Sequence, residues 1–368
     1  MRIRSVLFIG ALPPPITGQS VACKALYDDF KYNNHNMEFI NLSKDSLVSG
    51  ISSFGRILEI VKIVIKIILS LRGKDLIYFT PAESIAGNLK DIIIYFLIYL
   101  YGKISLTYIH MHGGAGMKEI LSDKHPTLKI INSFFIRRLA GVIVLGDRLV
   151  SIYEPFIDKS KISVVKNFAT TESFIKYSEL KYKNKNRDIM KILYLSNLIK
   201  SKGYNDLLDA YFLLGENCRC KLEINFAGGF ESAFQEKEFL NRINNIDNIK
   251  YHGIVKGKEK KELFTQSDVF CLPTYYPYEG QPISILEAYA AGCTVITTDH
   301  SGIYDVFTPE VNGLSVRKND PSDIKKALER LLEDKLLLRK FSIINARTAC
   351  TKYRLAHHLT QLRGIFNR

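Results

Sequence analysis

The stretch "DVFCLPTYYPYEGQPISILEAYAAGCTVITTD", residues 268–299, decides the fold of the chain. Two short apolar runs, "DVFCLP" (268–273) and "TVITTD" (294–299), flank a segment with helical periodicity. Continuous apolar runs of this length are typical of strands that are buried on both faces of a parallel sheet. The stretch therefore predicts a strand, a loop, a helix and a second, parallel strand.

The helix within this stretch is predicted to run from about Pro282 to Ala291. Pro282 suits the first helical position, and Gly292 suits the position just past the last one. Three core contacts recur on one side of the helix: Ile283, Leu286 and Ala290. The loop after the first strand therefore leads directly into a helix N-terminus.

Apolar runs alternate with helix-length stretches along the whole chain. The runs lie at residues 6–10, 37–42, 75–80, 104–110, 141–146 and 162–167 in the first half, and at 191–198, 221–228, 248–253, 268–273, 294–299 and 313–316 in the second. Strands that alternate with helices in this way indicate parallel sheets. We therefore predict an α/β protein with two doubly wound domains.

Length and composition agree with two globular domains. The chain has 368 residues, whereas a single core usually stops growing at ~250–300. A polar, charge-rich segment at 170–188 separates the two series of strands. We predict an N-terminal domain at 1–167, a linker at 168–188, a second domain at 189–345 and a C-terminal helical segment at 346–368 that could pack back on the first domain.

Charge and cysteine usage narrow the class of protein. The formal net charge is +14, but Lys and Arg are scattered, so we expect anionic substrates or anionic lipid as partners and no nucleic acid. Among six cysteines only Cys218 and Cys220 are close, without the second pair that a structural zinc site needs. We therefore expect that the cysteines are reduced thiols and that the protein is cytoplasmic.

Two apolar segments bear on membrane association. The segment "FGRILEIVKIVIKIILSLRGK" (54–74) sets Lys62 and Lys66 among Ile, Val and Leu, as in a basic helix that lies on a membrane surface. A core-facing helix with a solvated face is an equally good interpretation. The segment "DIIIYFLIYLYG" (91–102) is shorter than the ~20 residues of a membrane span. We expect no transmembrane span and a peripheral location on the inner face of the cell membrane.

The N-terminal run "SVLFIGAL" (5–12) has a basic start, as a signal peptide would. It is short, however, and ends in three prolines with no small-residue cleavage site. We predict that it forms the first strand.

The helix after residues 268–273 offers a site for a phosphate. Ligands of open parallel sheets bind outside the carboxyl ends of the strands, and a helix N-terminus there carries unpaired N–H groups and partial positive charge. Pro282 has no N–H group, so Gln281, Ile283 and Ser284 must supply the donors.

Two carboxylates accompany this phosphate site. Glu279 lies in the loop, and Glu287 lies on the helix eight residues further along the chain. A carboxylate beside a diphosphate is repelled unless it accepts hydrogen bonds from hydroxyl groups, which sugars supply. A nucleotide-sugar would satisfy both acids, one on the transferred sugar and the other on the ribose. Alternatively, the two residues are a loop charge and a surface helix residue.

The segment "EGQPISILEAYAAGCTVITTD" (279–299) resembles the E-x7-E motif of retaining glycosyltransferase family four, and the match includes Glu279, Gly280, Glu287, Ala288 and Gly292. Other segments that resemble the family lie at 13–20, 110–114, 195–210, 225–229, 251–255, 267–274 and 300–316. The resemblance implies the GT-B fold, in which two Rossmann-like domains face a cleft.

The resemblance also implies roles for individual residues. Glu279 would lie near the donor sugar, and Glu287 would bind the ribose. Lys202, in a "KG" pair, would contact the diphosphate, and Val255 would contact the base. His112, which follows a strand of the first domain, would lie near the donor sugar. Glu279, His112 and Lys202 are thus the predicted catalytic residues.

Further residues complete the predicted donor-binding set: Gly18, Asn197, Gly280, Gln281, Pro282 and Ile283. Gly18 follows the first strand, where a missing side chain lets the backbone approach a phosphate. Asn197 lies five residues before Lys202, where many family members have an arginine. Part of the expected positive clamp on the diphosphate is therefore missing.

Two groups of residues leave alternatives. We expect His110 and His112 to point to opposite sides of the strand end, so that only one faces the cleft, and we favour His112. Three tyrosines could stack on a sugar or simply pack: Tyr275, Tyr276 and Tyr278.

We predict a retaining glycosyltransferase that moves a sugar from a nucleoside-diphosphate donor to a hydroxyl acceptor. Catalysis would depend on positioning and on stabilising the charge of the leaving diphosphate. No Asp-x-Asp motif lies at a strand end, so no metal or other cofactor is expected. The basic surface and apolar helices of the first domain indicate a lipid-linked saccharide acceptor, as in bacterial surface polysaccharide synthesis.

Other interpretations stay open. A nucleotide-sugar epimerase or a phosphorylase could share the fold, and a non-catalytic partner subunit could keep a vestigial donor site, for which Asn197 is the only hint. A nicotinamide dehydrogenase fits less well, because no G-x-G-x-x-G follows the first strand.

Overall fold

A computed structural model describes residues 5–33, 35–43, 53–183 and 188–367, and the chain divides into two compact units. The first unit comprises Met1–Lys166, Tyr278–Gln281 and His358–Arg368, and the second comprises Asn167–Pro277 and Pro282–His357. The predicted linker, 168–188, is counted in the second unit, and its residues 184–187 lie outside the described residues. Of the predicted C-terminal segment, residues 358–368 are counted in the first unit.

The first unit is built on a parallel sheet of six strands in the order β2-β1-β3-β4-β5-β6. The strands are β1 (Ser5–Gly10), β2 (Asn36–Asn41), β3 (Leu76–Phe79), β4 (Thr107–His110), β5 (Gly141–Val144) and β6 (Ile162–Val164). The helices are α1 (Gly18–Tyr32), α2 (Ser53–Ser70), α3 (Ile85–Leu100), α4 (Ala115–Ile120) and α5 (Pro126–Ile136). Strands β1, β3 and β5 are almost wholly buried, as continuous apolar runs require.

The second unit has a parallel sheet of six strands in the order β12-β11-β10-β7-β8-β9. The strands are β7 (Met190–Leu195), β8 (Leu222–Ala227), β9 (Ile249–Tyr251), β10 (Val269–Leu272), β11 (Thr294–Thr298) and β12 (Gly313–Val316). The helices are α6 (Tyr177–Tyr182), α7 (Tyr204–Leu213), α8 (Glu216–Arg219), α9 (Ala233–Ile243), α10 (Gly257–Gln266), α11 (Ile283–Ala290), α12 (Pro321–Glu333) and α13 (Lys335–Lys352). A last helix, α14 (Leu355–Phe366), crosses the division at His358.

The predicted fold class is confirmed, since every apolar run singled out in the sequence corresponds to a strand of one of the two sheets. The N-terminal run 5–12 forms β1, as predicted. The apolar segment 91–102 lies mainly in α3. Within the described residues, no helix combines the length and the apolar character that crossing a bilayer requires.

Each sheet has a point at which the direction of winding reverses. In the second sheet the chain moves outward in one direction from β7 to β9 and in the other direction from β10 to β12. In the first sheet the reversal lies between the neighbouring strands β1 and β3. Ligands of doubly wound sheets bind at the carboxyl ends of the strands at these points. The loops after β1, β3, β7 and β10 are therefore the places to look for a site.

Candidate functional site

The loop after β7 carries Lys202 on a short 3-10 turn, Lys200–Lys202. Gly203 follows with a φ of +81°, and a Cβ atom there would lie 2.5 Å from the carbonyl oxygen of Pro273. Only glycine accepts both the left-handed backbone and this close approach. The "KG" pair is thus held against the end of β10 by the backbone itself.

The loops after β7 and β10 are bonded to each other. The Tyr275 amide donates a hydrogen bond of 2.8 Å to the Ser201 carbonyl. The Lys202 ammonium lies 5.0 Å from the centre of the Tyr276 ring, a cation–π distance. Tyr276 therefore packs beneath Lys202, which places this cation beside the loop that leads into α11.

Helix α11 begins at Ile283, one residue later than predicted, with Pro282 as its N-cap. Pro282 has neither an N–H group nor a side-chain acceptor, so it caps none of the amides of the first turn. The amides of Ile283 and Ser284 have no acceptor within the helix and point to the carboxyl edge of the sheet. Gly292 ends the helix with a φ of +69°, as the sequence predicted. This edge can bind an anion with backbone donors and Lys202.

Glu287 is a buried carboxylate and not a surface residue, since only 1% of its side chain is exposed. All α11 residues except Ser284 are buried, and α11 packs against α13. The Lys260 ammonium lies 2.7 Å from each Glu287 carboxylate oxygen, and the Thr170 hydroxyl donates a hydrogen bond of 2.6 Å to Oε1. The sequence analysis predicted neither Lys260 nor Thr170 as a partner of Glu287. A carboxylate has about four lone-pair sites, so Glu287 can also accept hydrogen bonds from a diol.

Two other predicted donor-binding residues follow strands of the second sheet. Asn197 follows β7 and is half-buried. Val255 is buried in the loop between β9 and α10, just after Gly253, whose φ is +65°. The described contacts connect neither side chain with Lys202 or Glu287.

Glu279, Gly280 and Gln281 are counted in the first unit, and all three are buried. A Cβ atom on Gly280 would lie 2.2 Å from the carbonyl oxygen of His112, so glycine is required where the two loops meet. The Gln281 side-chain amide donates a hydrogen bond of 3.0 Å to the Leu145 carbonyl, at the end of β5. The structure thus brings the loop of Glu279 against the loop of the predicted His112 in the first unit.

The prediction that His110 and His112 point to opposite sides is wrong. Their rings lie 4.2 Å apart, because residues two apart in an extended segment share one face. His110 Nδ1 lies 2.8 Å from the Tyr78 hydroxyl, as in a core histidine. No described residue hydrogen-bonds to either ring nitrogen of His112, and both are buried. Burial and the nearby His358 lower the pKa of His112 to about 3, so it is neutral at pH 7.

The structure adds Glu83, which the sequence analysis missed. It lies in the loop between β3 and α3, beside Gly113 and Gly116. Its pKa is raised to about 8, because burial and, to a smaller extent, the charge of Glu279 raise it more than hydrogen bonds from the amides of Gly114 and Gly116 lower it. The signal that could have found it is its position, because a carboxylate in "TPAES" directly follows an apolar run that predicts a strand.

Gly18 is the first residue of α1 and not a loop residue, with Thr17 and Ser20 forming a capping box around it. Nothing lies within 4 Å of the place where its Cβ atom would be. The described contacts do not connect Gly18 with the other predicted residues, and its role at a phosphate stays a prediction.

In the described parts of the chain, no group of three or more His, Cys, Asp or Glu side chains is placed to hold a metal ion.

Residues 178–348 match the family model for Glycosyl transferases group 1. This region covers Lys202, Val255, Glu279 and Glu287 of the residues described above. The chain is also 24% identical to an uncharacterized glycosyltransferase of Methanocaldococcus jannaschii, over 65% of this chain and 62% of that protein.

A second relative is the N,N'-diacetylbacillosaminyl-diphospho-undecaprenol alpha-1,3-N-acetylgalactosaminyltransferase of Campylobacter jejuni. It is 28% identical over 43% of this chain and 40% of its own length. The chain thus spans less than two thirds of the length of either relative.

The fold matches solved glycosyltransferase structures over its whole length. The crystal structure of Anabaena HepE in complex with UDP-glucose aligns with a TM-score of 0.73, at 15% identity, and covers 99% of both chains. At this identity the likeness shows the fold alone. Two parallel six-stranded sheets and this likeness together establish a GT-B α/β fold with two Rossmann-like units.

Proposed function

We propose that this protein is a retaining glycosyltransferase that transfers a sugar from a nucleoside-diphosphate donor to a hydroxyl acceptor. The observation that carries the proposal is the convergence of Lys202 and the amide end of α11 at the carboxyl edge of the second sheet. Lys202 supplies a full positive charge, and the helix supplies partial charges and N–H donors. Together they suit a diphosphate that gains negative charge as it leaves.

The proposed reaction uses the charge of the leaving group. The acceptor oxygen bonds to the anomeric carbon on the face from which the diphosphate departs, while the bond from this carbon to the diphosphate oxygen breaks. The acceptor's proton passes to the leaving diphosphate. Positioning and electrostatic stabilisation lower the barrier, and no metal ion is part of the proposed reaction.

The two carboxylates have different surroundings, and this difference supports different roles. Glu287, which Lys260 compensates, is assigned to the ribose diol of the donor. Glu279 precedes Gly280, which packs against the backbone of the neutral His112, and is assigned to the sugar that is transferred. Val255 is assigned to the base, and the backbone at Gly18 and Gly280 to close approach of the substrate.

Comparisons support a nucleotide-sugar donor. HepE, which has the same fold, was crystallised with UDP-glucose. The match to group 1 glycosyl transferases includes the loop of Lys202 and the helix α11. Uracil is therefore the first nucleotide base to test. Many members of the family that the chain resembles have an arginine where this chain has Asn197, so Lys202 is the side-chain cation that we assign to the diphosphate.

The proposed acceptor is a lipid-linked saccharide, as in bacterial surface polysaccharide synthesis. The relative from Campylobacter jejuni is named for a saccharide linked to diphospho-undecaprenol, and this name supports a lipid-linked acceptor. A transferase that acts on such a lipid must work at a membrane surface. We therefore propose a cytoplasmic protein bound peripherally to the inner face of the cell membrane.

The helices α2 and α3 offer a surface for this membrane contact. Exposed apolar residues recur along α2 at Val61, Ile65 and Leu69, and Leu69 is 76% exposed. Residues four apart share one helix face, and the exposed Lys62 and Lys66 lie directly beside this row. The neighbouring helix α3 adds a second exposed row: Ile85, Leu89, Ile93, Phe96 and Leu100. An apolar surface with basic residues suits an anionic lipid bilayer.

A panel of nucleotide-sugars, incubated with and without undecaprenyl-linked saccharides, tests the proposed function. Thermal unfolding with UDP, GDP and ADP reports nucleotide binding independently of the acceptor. We expect one nucleotide to raise the unfolding temperature and the matching donor to lose its sugar to an acceptor. A sugar that changes configuration but stays on the nucleotide would indicate an epimerase. Nucleotide binding without turnover of any donor would favour a non-catalytic subunit.

A further inference from the structure

The segment 168–188, which the sequence predicts as a linker, contributes a hydroxyl group to one carboxylate of the proposed donor site. The Thr170 hydroxyl donates a hydrogen bond of 2.6 Å to Glu287 Oε1. Thr170 and Glu287 both belong to the second unit, and 116 residues separate them in the chain. The proposed function assigns no role to Thr170.

Backbone hydrogen bonds hold this segment in place on both sides of Thr170. The Ala169 amide donates a hydrogen bond of 2.9 Å to the Tyr353 carbonyl, just after α13. The Ile175 amide donates one of 3.0 Å to the carbonyl of Ala290, the last residue of α11. Neither bond uses the Thr170 side chain, so the segment should keep its place against α11 when that side chain is changed.

The Thr170 side chain does not serve as a helix cap. Thr170 is the N-cap of the 3-10 turn Thr171–Ser173. An N-cap threonine commonly accepts a hydrogen bond from an amide of the first turn, but Thr170 does not. Its hydroxyl lies 2.8 Å from the Ser173 hydroxyl instead. Because the single Thr170 proton goes to Glu287, Ser173 is the donor of this second bond, and the two hydroxyls form a chain that ends on Oε1.

The two carboxylate oxygens of Glu287 have different partners. Oε1 accepts the hydrogen bond from Thr170 and lies 2.7 Å from the Lys260 ammonium, whereas the described contacts of Oε2 include Lys260 alone. A carboxylate has about four lone-pair sites on its two oxygens, so Oε2 has the greater capacity to accept another hydrogen bond. The last torsion of a glutamate side chain is soft. The orientation of this carboxylate therefore depends on Thr170 and Lys260, which approach it from different segments.

We propose that Thr170 is a positioning residue, which holds Glu287 Oε1 and so presents Oε2 to a ribose hydroxyl group of the donor nucleotide. This inference rests on the proposed function, which assigns Glu287 to the ribose. Without the Thr170 hydroxyl, Lys260 alone orients the carboxylate, and the hydrogen bond from the ribose weakens. Glu287 would bind the ribose equally well before and during transfer of the sugar. The loss therefore affects KM for the donor and not kcat.

Nucleotides with and without ribose hydroxyls test this role. UDP, GDP and ADP and their 2′,3′-dideoxy counterparts are titrated calorimetrically into the whole chain. The wild type should bind the matching ribonucleotide about 10–100-fold more tightly than the dideoxynucleotide, as for one hydrogen bond to a charged group. Thr170→Val, which keeps the shape but lacks the hydroxyl, should reduce this preference by about 5-fold or more. Thr170→Ser, which keeps the hydroxyl, should retain it, as should the control Thr171→Val, because Thr171 is exposed.

Steady-state kinetics and unfolding separate positioning from a purely structural role. Thr170→Val should raise KM for the donor by about 5-fold and leave kcat nearly unchanged. If Thr170 only stabilised the fold, Thr170→Val would unfold at lower denaturant concentration but would keep the wild-type KM and the wild-type preference for ribose. That result would overturn the inference. If Thr170→Val does not fold, Thr170→Ala removes the same hydroxyl without a second branch and is measured in its place.

The same titrations distinguish failure of this inference from failure of the proposed function. If the wild type binds none of the three nucleotides, the proposed function fails, and the role of Thr170 fails with it. If the wild type prefers the ribonucleotide and Thr170→Val shows an equal preference, only the role of Thr170 is overturned. Nucleotide binding without any preference for ribose in the wild type would overturn both this role and the assignment of Glu287 to the ribose.

Discussion

The Lys260 ammonium lies 2.7 Å from both carboxylate oxygens of Glu287, and this ion pair compensates a carboxylate that is 1% exposed. Lys260 projects from α10 and Glu287 from α11, so the pair also ties two helices of the second unit together. Removing one partner of such a pair leaves a buried charge without compensation, which costs more than the pair itself contributes.

Lys260→Met is therefore expected to lower the free energy of unfolding by about 1–3 kcal/mol, since Lys260 is itself partly exposed and the loss should stay below that of a fully buried pair. Denaturant unfolding at pH 7 measures the change. The double variant Lys260→Met, Glu287→Gln should recover part of the loss, because no buried charge remains. Lys258→Met, 90% exposed on the same helix, is the control. If Lys260→Met were as stable as Lys258→Met, this role of the ion pair would be contradicted.

The two motif glutamates should respond differently to the same substitution. Glu287→Gln is expected to weaken binding of donor and free nucleotide by about 1–3 kcal/mol, as for one hydrogen bond to a charged group. Glu279→Gln should leave nucleotide binding nearly unchanged and lower kcat, because it is assigned to the transferred sugar. Calorimetric titration with the nucleotide and steady-state kinetics separate the two effects. Wild-type values for both variants would refute the assignment of either residue to the donor.

Lys202 should matter more than a lysine in a paired clamp would, because Asn197 stands where many members of the family that the chain resembles have an arginine. Lys202→Ala is expected to lower turnover by about 10²–10³-fold, the range for loss of one preorganised electrostatic group. Lys200→Ala is the matched control, since Lys200 lies in the same 3-10 turn and is exposed. Asn197→Arg should tighten binding of the nucleoside diphosphate product. It should also slow turnover if product release limits the rate. Near-normal activity of Lys202→Ala together with inactive Asn197→Ala would show that the asparagine is the working group.

The sequence predicted the sheets well because their strands are continuous apolar runs, a pattern that depends only on local composition. The start and end of α11 could also be predicted from the local sequence, since Pro282 and Gly292 each restrict the backbone at their own position. Lys202 was singled out by the resemblance of its "KG" pair to the family motif and not by a local rule of this kind.

The partners of the site residues could not be predicted in this way. Lys260 lies in the charge run "KGKEKKE", which reads as a solvated helix face, and Thr170 lies 117 residues before Glu287 in the chain. Glu83 precedes a helix cap and resembles an ordinary turn residue until Gly113 is placed against it. Such pairings depend on how distant segments pack, and a single sequence does not encode them in a local pattern.

Membrane binding should depend on α2 and on lipid charge. Vesicles with and without anionic lipid are sedimented with the protein, and we expect binding that increases with anionic lipid and decreases with salt. Lys62→Glu with Lys66→Glu should reduce binding strongly, since each lysine near an anionic surface contributes about 1 kcal/mol. Leu69→Ser tests the apolar contribution. The control is Lys258→Glu with Lys318→Glu, an equal change of charge in the second unit. Binding that ignores both lipid charge and salt, or an equal loss in the control, would contradict a specific role of α2.

The contribution of Glu83 to the stability of the protein should fall as the pH rises from 6.5 to 8. Its pKa is raised from 4.5 to about 8 in the folded state, so the folded protein holds a proton that the unfolded chain has released. Stability from such a group is present at low pH and is lost as the pH rises through the folded pKa. His112 and His358, with pKa values lowered to about 3 and 4, and His110 and His252, whose pKa values are also lowered, act in the opposite direction. At pH 6.5 the unfolded chain still holds about half of the protons of these histidines, and it loses them as the pH rises. Comparison of the wild type with a Glu83 variant therefore isolates Glu83, because the histidines are the same in both proteins. One proton corresponds to at most about 1.4 kcal/mol per pH unit, so we expect a loss of about 1–2 kcal/mol over this window. Denaturant unfolding of the wild type and of Glu119→Gln, whose carboxylate on α4 is exposed, should each show this loss relative to Glu83→Gln. A slope that is the same in all three proteins would mean that Glu83 ionises in the folded state as it does in the unfolded chain.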